Sequence, residues 1–220
     1  MRSTLAQSME QLDRDMIAMS DLVIDNFSMA VAAFVNKDTT LSKQVVESDA
    51  AVNAKYFEIE TEAIESIALQ NPIAKDLRII SSVIKIISDI ERIGDHSSDI
   101  AKISQHIIGL NIPDELKDDV VALSEVVKEI FKDAITSYIN RDESLARTVC
   151  GRDDEVDRTF KILFDEFMQS MITNPSEDNI KVVTQMLFII RYMERIGDHI
   201  NNIAERVVYM QTGQLVDLNN

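Results

Sequence analysis

Glu91-Arg92-Ile93-Gly94-Asp95-His96 returns, residue for residue, as Glu194-Arg195-Ile196-Gly197-Asp198-His199, 103 positions later. Each copy lies inside an apolar pattern of helical period. Around the first, one stripe runs through Ile79, Val83, Ile86, Ile90, Ile93, Ile100 and Ile107, beside a second at Leu77, Ile80, Ile84 and Ile87. Around the second, the stripes are Val182, Met186, Ile189, Met193, Ile196, Ile203 and Val207, beside Ile180, Val183, Leu187 and Ile190. The 3–4 spacing is that of packed helices, and no strand alternation reproduces it. Two adjacent stripes imply neighbours on more than one side, so these two helices are expected to join the halves of the molecule.

Outward from the hexapeptides the whole chain duplicates. An offset of 104 pairs Leu12 with Leu116, Asp15 with Asp119, Phe27 with Phe131, Phe34 with Tyr138 and Asn36-Lys37-Asp38 with Asn140-Arg141-Asp142. It also pairs Asp49 and Val52 with Asp153 and Val156, and after a one-residue deletion Asn71-Pro72 falls on Asn174-Pro175. A repeat of about a hundred residues is one supersecondary unit. Within the first, helices are expected from about Leu5 to Val35, from about Asp38 to Leu69, and from near Ile73 to a C-cap at Gly109. The second repeats that punctuation and closes at Gly213. The expected fold is all-α, two tandem, sequence-related three-helix bundles over residues 1–110 and 111–220. Helices of roughly 30 residues are about 45 Å long.

Composition narrows the function. Only 5 Gly and 3 Pro in 220 residues leave few turns and favour long elements. A formal net charge of -16 repels nucleic acid and anionic lipid, and the basic residues are scattered. No run reaches the roughly 18 uninterrupted apolar residues of a membrane span, and Met1 to Asp15 lacks a signal-peptide apolar region. A cytoplasmic protein that does not insert into membranes is expected. The single cysteine, Cys150, reads as a small buried thiol. No Gly-rich phosphate loop, nucleophile elbow or zinc-type Cys/His spacing occurs. The di-iron carboxylate template needs Glu-x-x-His, whereas Gly follows each Glu here at i+3. No enzyme is therefore expected.

The second stripe breaks where Ile84 and Ile87 lead to Glu91 and Gly94, and Leu187 and Ile190 to Glu194 and Gly197. Asp95 and Asp198 follow on the same face, so each copy sets two carboxylates four residues apart in place of core. Like charges so placed repel, the more so when desolvated. On the preceding helix Asp153 and Asp157 form a second i, i+4 pair, matched in the first unit by Asp49 and Asn53. Antiparallel packing would bring these beside the Glu-x-x-x-Asp pairs, since all lie roughly 20 residues from the Asn-Pro loops. That arrangement is an oxygen-rich cation site, with Asp99 one turn further on as an added donor; oxygen donors suit Mg, Mn or Ca. Gly94 and Gly197, each costing about 1 kcal/mol in a helix interior, point to a close approach of another group. The opposing reading makes the acids a solvated face, or a salt-bridge network in which Arg92 and Arg195 pair with neighbouring helices. His96 and His199, about 140° round the helix from each preceding Glu, read as supporting or surface groups, and His106 carries no signal.

These residues resemble the PhoU family: Glu-Arg-Ile-Gly-Asp in both halves, Asp153-x-x-x-Asp157, and Arg191-Tyr192-Met193-Glu194-Arg195-Ile196-Gly197-Asp198-His199 with Asn202-Ile203-Ala204-Glu205. The resemblance implies two similar three-helix bundles side by side, a homodimer, and iron or zinc held through Glu/Asp-x-x-x-Asp motifs. It assigns Glu91, Asp95, Glu194 and Asp198 to the third-helix metal motifs, and Asp49, Asp153 and Asp157 to the second-helix ones. Asn53 departs from the motif, which implies a weaker first site. It further implies a negative regulator of phosphate uptake and of the phosphate-starvation response, in contact with the ATPase subunit of a phosphate ABC transporter and with a sensor histidine kinase. A metal-dependent carboxylate enzyme and a metal-free helical scaffold are the other readings of the same residues.

Overall fold

The computed structural model describes residues 2–215, which form six α-helices and no strand. They are α1 (Arg2–Asn36), α2 (Thr39–Gln70), α3 (Ala74–His106), α4 (Asp114–Asn140), α5 (Glu143–Thr173) and α6 (Glu177–Thr212). The duplicated Asn-Lys/Arg-Asp turns work identically. Lys37 and Arg141 take the left-handed conformation (φ 52° and 53°) that ends a helix. The next residue then caps the following one: Asp38 accepts from the Thr40 and Leu41 amides, and Asp142 from that of Leu145. Asn71 (φ 47°) likewise ends α2, and Gly213 (φ 74°) ends α6. Gly109 does not end α3. The helix stops at His106 with Ile107 as C-cap, and Gly109 (φ 78°) serves the turn beyond it.

Helices α1 to α3 pack as one bundle and α4 to α6 as the other, joined through α3 against α6 and, less extensively, α1 against α4. Helices α2 and α5 touch only their own bundles and are the outer pair. The double stripes are explained by this: Ile80, Ile86, Ile87, Ile90 and Ile93 are buried on α3, as are Val182, Met186, Ile189, Met193 and Ile196 on α6. Leu77 and Ile180, the first residues of the second stripes, remain exposed. The two central helices run antiparallel, since Arg78 near the start of α3 donates to the Met210 carbonyl near the end of α6 at 3.1 Å. A further tie crosses from α1 to α4: Asp13 accepts from Tyr138 Oη and from Arg141 Nη2 (2.7 and 2.9 Å). One helix among the described residues, α1 over Thr4–Asn36, is long and apolar enough to cross a membrane. Half of its most apolar window is buried.

The outer helices pack tightly against the central ones at the hexapeptide glycines. A Cβ on Gly94 would stand 3.2 Å from Val52 Cγ1 of α2, and one on Gly197 3.2 Å from Val156 Cγ1 of α5. The repeat pairs Val52 with Val156, so the same contact is built twice. Gly197→Ala is expected to destabilise the protein by about 1–2 kcal/mol despite alanine's better helix propensity, because the added methyl overpacks the seam. Chemical denaturation measures this, with Val156→Ala in the same chain recovering part of the loss.

Candidate metal centre

Two rows of oxygen-bearing side chains face each other across each glycine seam. In the first unit Glu91 and Asp95 on α3 meet Asp49 and Asn53 on α2, all half-buried. Asp49 Oδ2 accepts from Asn53 Nδ2 at 3.1 Å, and Asp49 Oδ1 from Ser98 Oγ at 3.5 Å. In the second unit Glu194 and Asp198 on α6 meet Asp153 and Asp157 on α5. Asp153 Oδ1 lies 3.4 Å from where a Gly197 Cβ would be. Asp99 is paired with Lys102 at 2.9 Å, and the charge of Lys102 also reaches Asp49 and Asp95.

The electrostatics of both clusters are those of acids short of positive charge. Burial, then the charge of Asp95, pushes the Asp49 carboxyl above the usual range. Burial and the same Asp95 raise Glu91. In the second unit burial raises Glu194, reinforced by Asp198, and desolvation raises Asp198, reinforced by Asp157. One oxygen, Glu194 Oε2, is buried with no hydrogen-bond partner. Buried acceptors are rarely left so, and a neighbouring cation is the partner a carboxylate lacks. This donor set fits a metal ion.

As arranged, the acids are partly answered by arginine. Arg92 contacts Asp95 at 2.8 Å and Glu91 at 3.5 Å, both on its own helix rather than a neighbour's. In the second unit it is Arg191 that holds Glu194, at 2.6 Å, and Lys161 stands 3.8 Å from Asp157. Among the described residues no group of three or more His, Cys, Asp or Glu side chains is gathered as a ready-made metal site.

His96 and His199 are interface groups rather than surface ones, whereas His106 is exposed. His96 and His199 face one another across α3 and α6 with ring centroids 5.7 Å apart, and His96 stacks on Tyr192 at 5.5 Å. His199 Nδ1 lies 2.9 Å from Asp89, which also accepts from Asn202. Burial, then the neighbouring His199, lowers the His96 pKa. Ser98, Arg191 and Asp89 were not singled out from the residue pattern, because each acts through a partner on a different turn or helix. Cys150 is buried with its thiol pushed up to about 12 by burial, which makes it inert.

A family profile described as the PhoU domain matches twice, over residues 16–104 and 120–207. The chain belongs to the PhoU family. A relative from Clostridium acetobutylicum named as a phosphate-specific transport system accessory protein PhoU homolog is 35% identical over 99% of each chain. Another PhoU homolog so named, from Streptococcus pneumoniae, is 31% identical over the whole of both. Among solved structures, PhoU from Pseudomonas aeruginosa superposes with a TM-score of 0.89 at 31% identity, covering 95% of this chain and 99% of that one. The phosphate transport system regulatory protein PhoU from Streptococcus pneumoniae also gives 0.89, at 28% identity over 97% and 99%. Each of the two PhoU-domain matches contains one complete carboxylate cluster.

A carboxylate whose folded pKa lies above its unfolded value binds more protons when folded, so it withdraws stability as pH rises from the ordinary carboxylate range through the raised value. Glu194→Gln is accordingly expected to raise the denaturation midpoint of chelator-treated protein at pH 7.5. The gain should shrink as pH falls towards the carboxylate range. Urea titrations at several pH values measure both.

Proposed function

We propose that this chain is an accessory regulator of a phosphate-specific transport system, restraining phosphate uptake and the phosphate-starvation response. The observation that carries the reading is 35% identity over 99% of both chains to a relative named for that accessory role. The chain acts by binding, as a relay between the ATPase subunit of a phosphate ABC transporter and a sensor histidine kinase. It works as a homodimer in the cytoplasm, reaching the membrane through these partners. A signal then passes as changed partner affinity, which requires contacts that differ between two states.

Within that reading the carboxylates are the regulatory element. Asp49, Glu91 and Asp95 would hold an ion in the repeat spanning 1–110. Asp153, Asp157, Glu194 and Asp198 would hold one in the repeat spanning 111–220. The bound iron, zinc or other divalent ion would supply the positive charge these acids lack. Glu194 Oε2 presents its unpartnered acceptor, and the glycine seam keeps the two helices close enough for acids of both to share one ligand. Asn53 offers a neutral amide, already turned to Asp49, where the second unit has Asp157. The first cluster is therefore the weaker.

Deleting the gene is expected to raise phosphate uptake several-fold in phosphate-replete cells, and expression of the full chain to restore it. Radiolabelled phosphate uptake reads this directly, and uptake unchanged by deletion would remove the regulator reading.

A further inference from the structure

Glu194 Oε2 has a companion further along α6. Among the described residues four buried side-chain polar atoms lack a hydrogen-bond partner, and two of them, Glu194 Oε2 and Asn201 Oδ1, are acceptors on one face of this helix. Asn201 is only 2% exposed. A carbonyl oxygen so enclosed has given up its hydration without a replacement, which native structures rarely allow.

Helix geometry puts that oxygen at the carboxylates. Asn201 follows Glu194 by seven residues, so it lies about 20° from it round α6, in a direction between those of Gly197 and Asp198. Gly197 is where α6 meets α5, and a Cβ there would stand 3.4 Å from Asp153 Oδ1. The duplication leads to the same place. Asn201 corresponds to Ser98, whose Oγ reaches Asp49 at 3.5 Å, and Asp49 corresponds to Asp153.

The two repeats differ at this point in the sign of what they supply. In the first, Ser98 donates a hydroxyl proton to Asp49, and Lys102, one turn on, adds a positive charge that reaches Asp49 and Asp95. The second repeat has Asn201 and Glu205 at those positions. Beyond burial, the charges of Glu205 and Asp153 raise the Cys150 thiol, so negative charge gathers where the first repeat places a lysine. The first cluster thus draws a proton donor and a cation from its own chain, whereas the second presents an acceptor and a further acid.

We propose that Asn201 Oδ1 is a ligand of the cation held by the second cluster, a neutral oxygen added to Asp153 and Asp198. The proposal rests on the metal reading above and extends its ligand set beyond the paired acids. Carboxylates with an amide carbonyl form an all-oxygen set, which suits a hard divalent ion such as Mn2+.

The test titrates Mn2+ into the chelator-treated full chain and follows free ion by its electron paramagnetic resonance signal. Every protein compared carries Asp49→Asn and Asp95→Asn, which silence the first cluster. Asn201→Ser, a residue the first repeat accommodates at this place, is expected to weaken Mn2+ binding at least about tenfold, the loss that even groups supporting a ligand produce. Asn201→Asp should bind Mn2+ more tightly than the parent, yet unfold at lower urea concentration without metal, because it adds a charge to the acids. A purely structural asparagine would lose stability and affinity together in that variant, and this result would overturn the proposal. Equal affinity of Asn201→Ser and the parent, with binding lost in Asp153→Asn, Asp198→Asn, would also overturn it while leaving the metal reading in place. Absence of Mn2+ binding in the parent would overturn it too, whereas elemental analysis of purified wild-type protein judges the metal reading itself.

Discussion

Everything distinctive about this molecule rests on two close approaches between helices, where Val52 meets Gly94 and Val156 meets Gly197. Dispersion contacts are individually small and fall away within an ångström, so a glycine serves at this tight contact despite its cost to the helix. The gain is positional. With the outer helix drawn in, the carboxylates next to the seam and one turn before it are brought into mutual range. Beside burial, the charge of Asp95 then raises the proton affinity of Asp49 and Glu91, and that of Asp157 the proton affinity of Asp198. A packing contact between apolar atoms thus creates the electrostatic strain of the site.

That strain has two available remedies, and the structure displays one of them. Arginine answers Asp95 and Glu91 in the first unit and Glu194 in the second. It leaves Glu194 Oε2 bare. A cation held between the helices would replace those guanidinium contacts and would add a link between outer and central helix beside the valine–glycine packing. Helices α2 and α5 touch nothing outside their own bundles. Their hold on α3 and α6 is therefore set within each bundle, at the seam that carries the acids.

The fold was largely legible in the residues because its signals are periodic and duplicated. Paired stripes on α3 and α6 require two neighbours each, and those are the helices that join the bundles. The Asn-Lys/Arg-Asp turns are αL caps followed by Asp N-caps. The glycines did announce a close approach, though of valine. What escaped the pattern was direction. In the opposing salt-bridge reading Arg92 and Arg195 reach neighbouring helices, yet Arg92 folds back along α3, and Arg191 takes the Glu194 contact. Gly109 was expected to end α3, but Ile107 caps it two residues sooner, since a turn glycine need not be the cap itself. Rotamers and caps depend on local competition among partners, which spacing alone does not encode. The two histidines illustrate the same limit: their angle on the helix was readable, whereas their meeting across α3 and α6 depends on the register between two bundles.

The most direct measurement is elemental analysis of protein purified without added metal or chelator, comparing wild type with an Asp153→Asn, Asp198→Asn variant. The account predicts stoichiometric metal in the wild type and a clear loss in the variant, whose second cluster keeps only Asp157 and Glu194 as acids. Metal absent from both, or equal in both, would contradict it and return the paired carboxylates to helix faces neutralised by arginine.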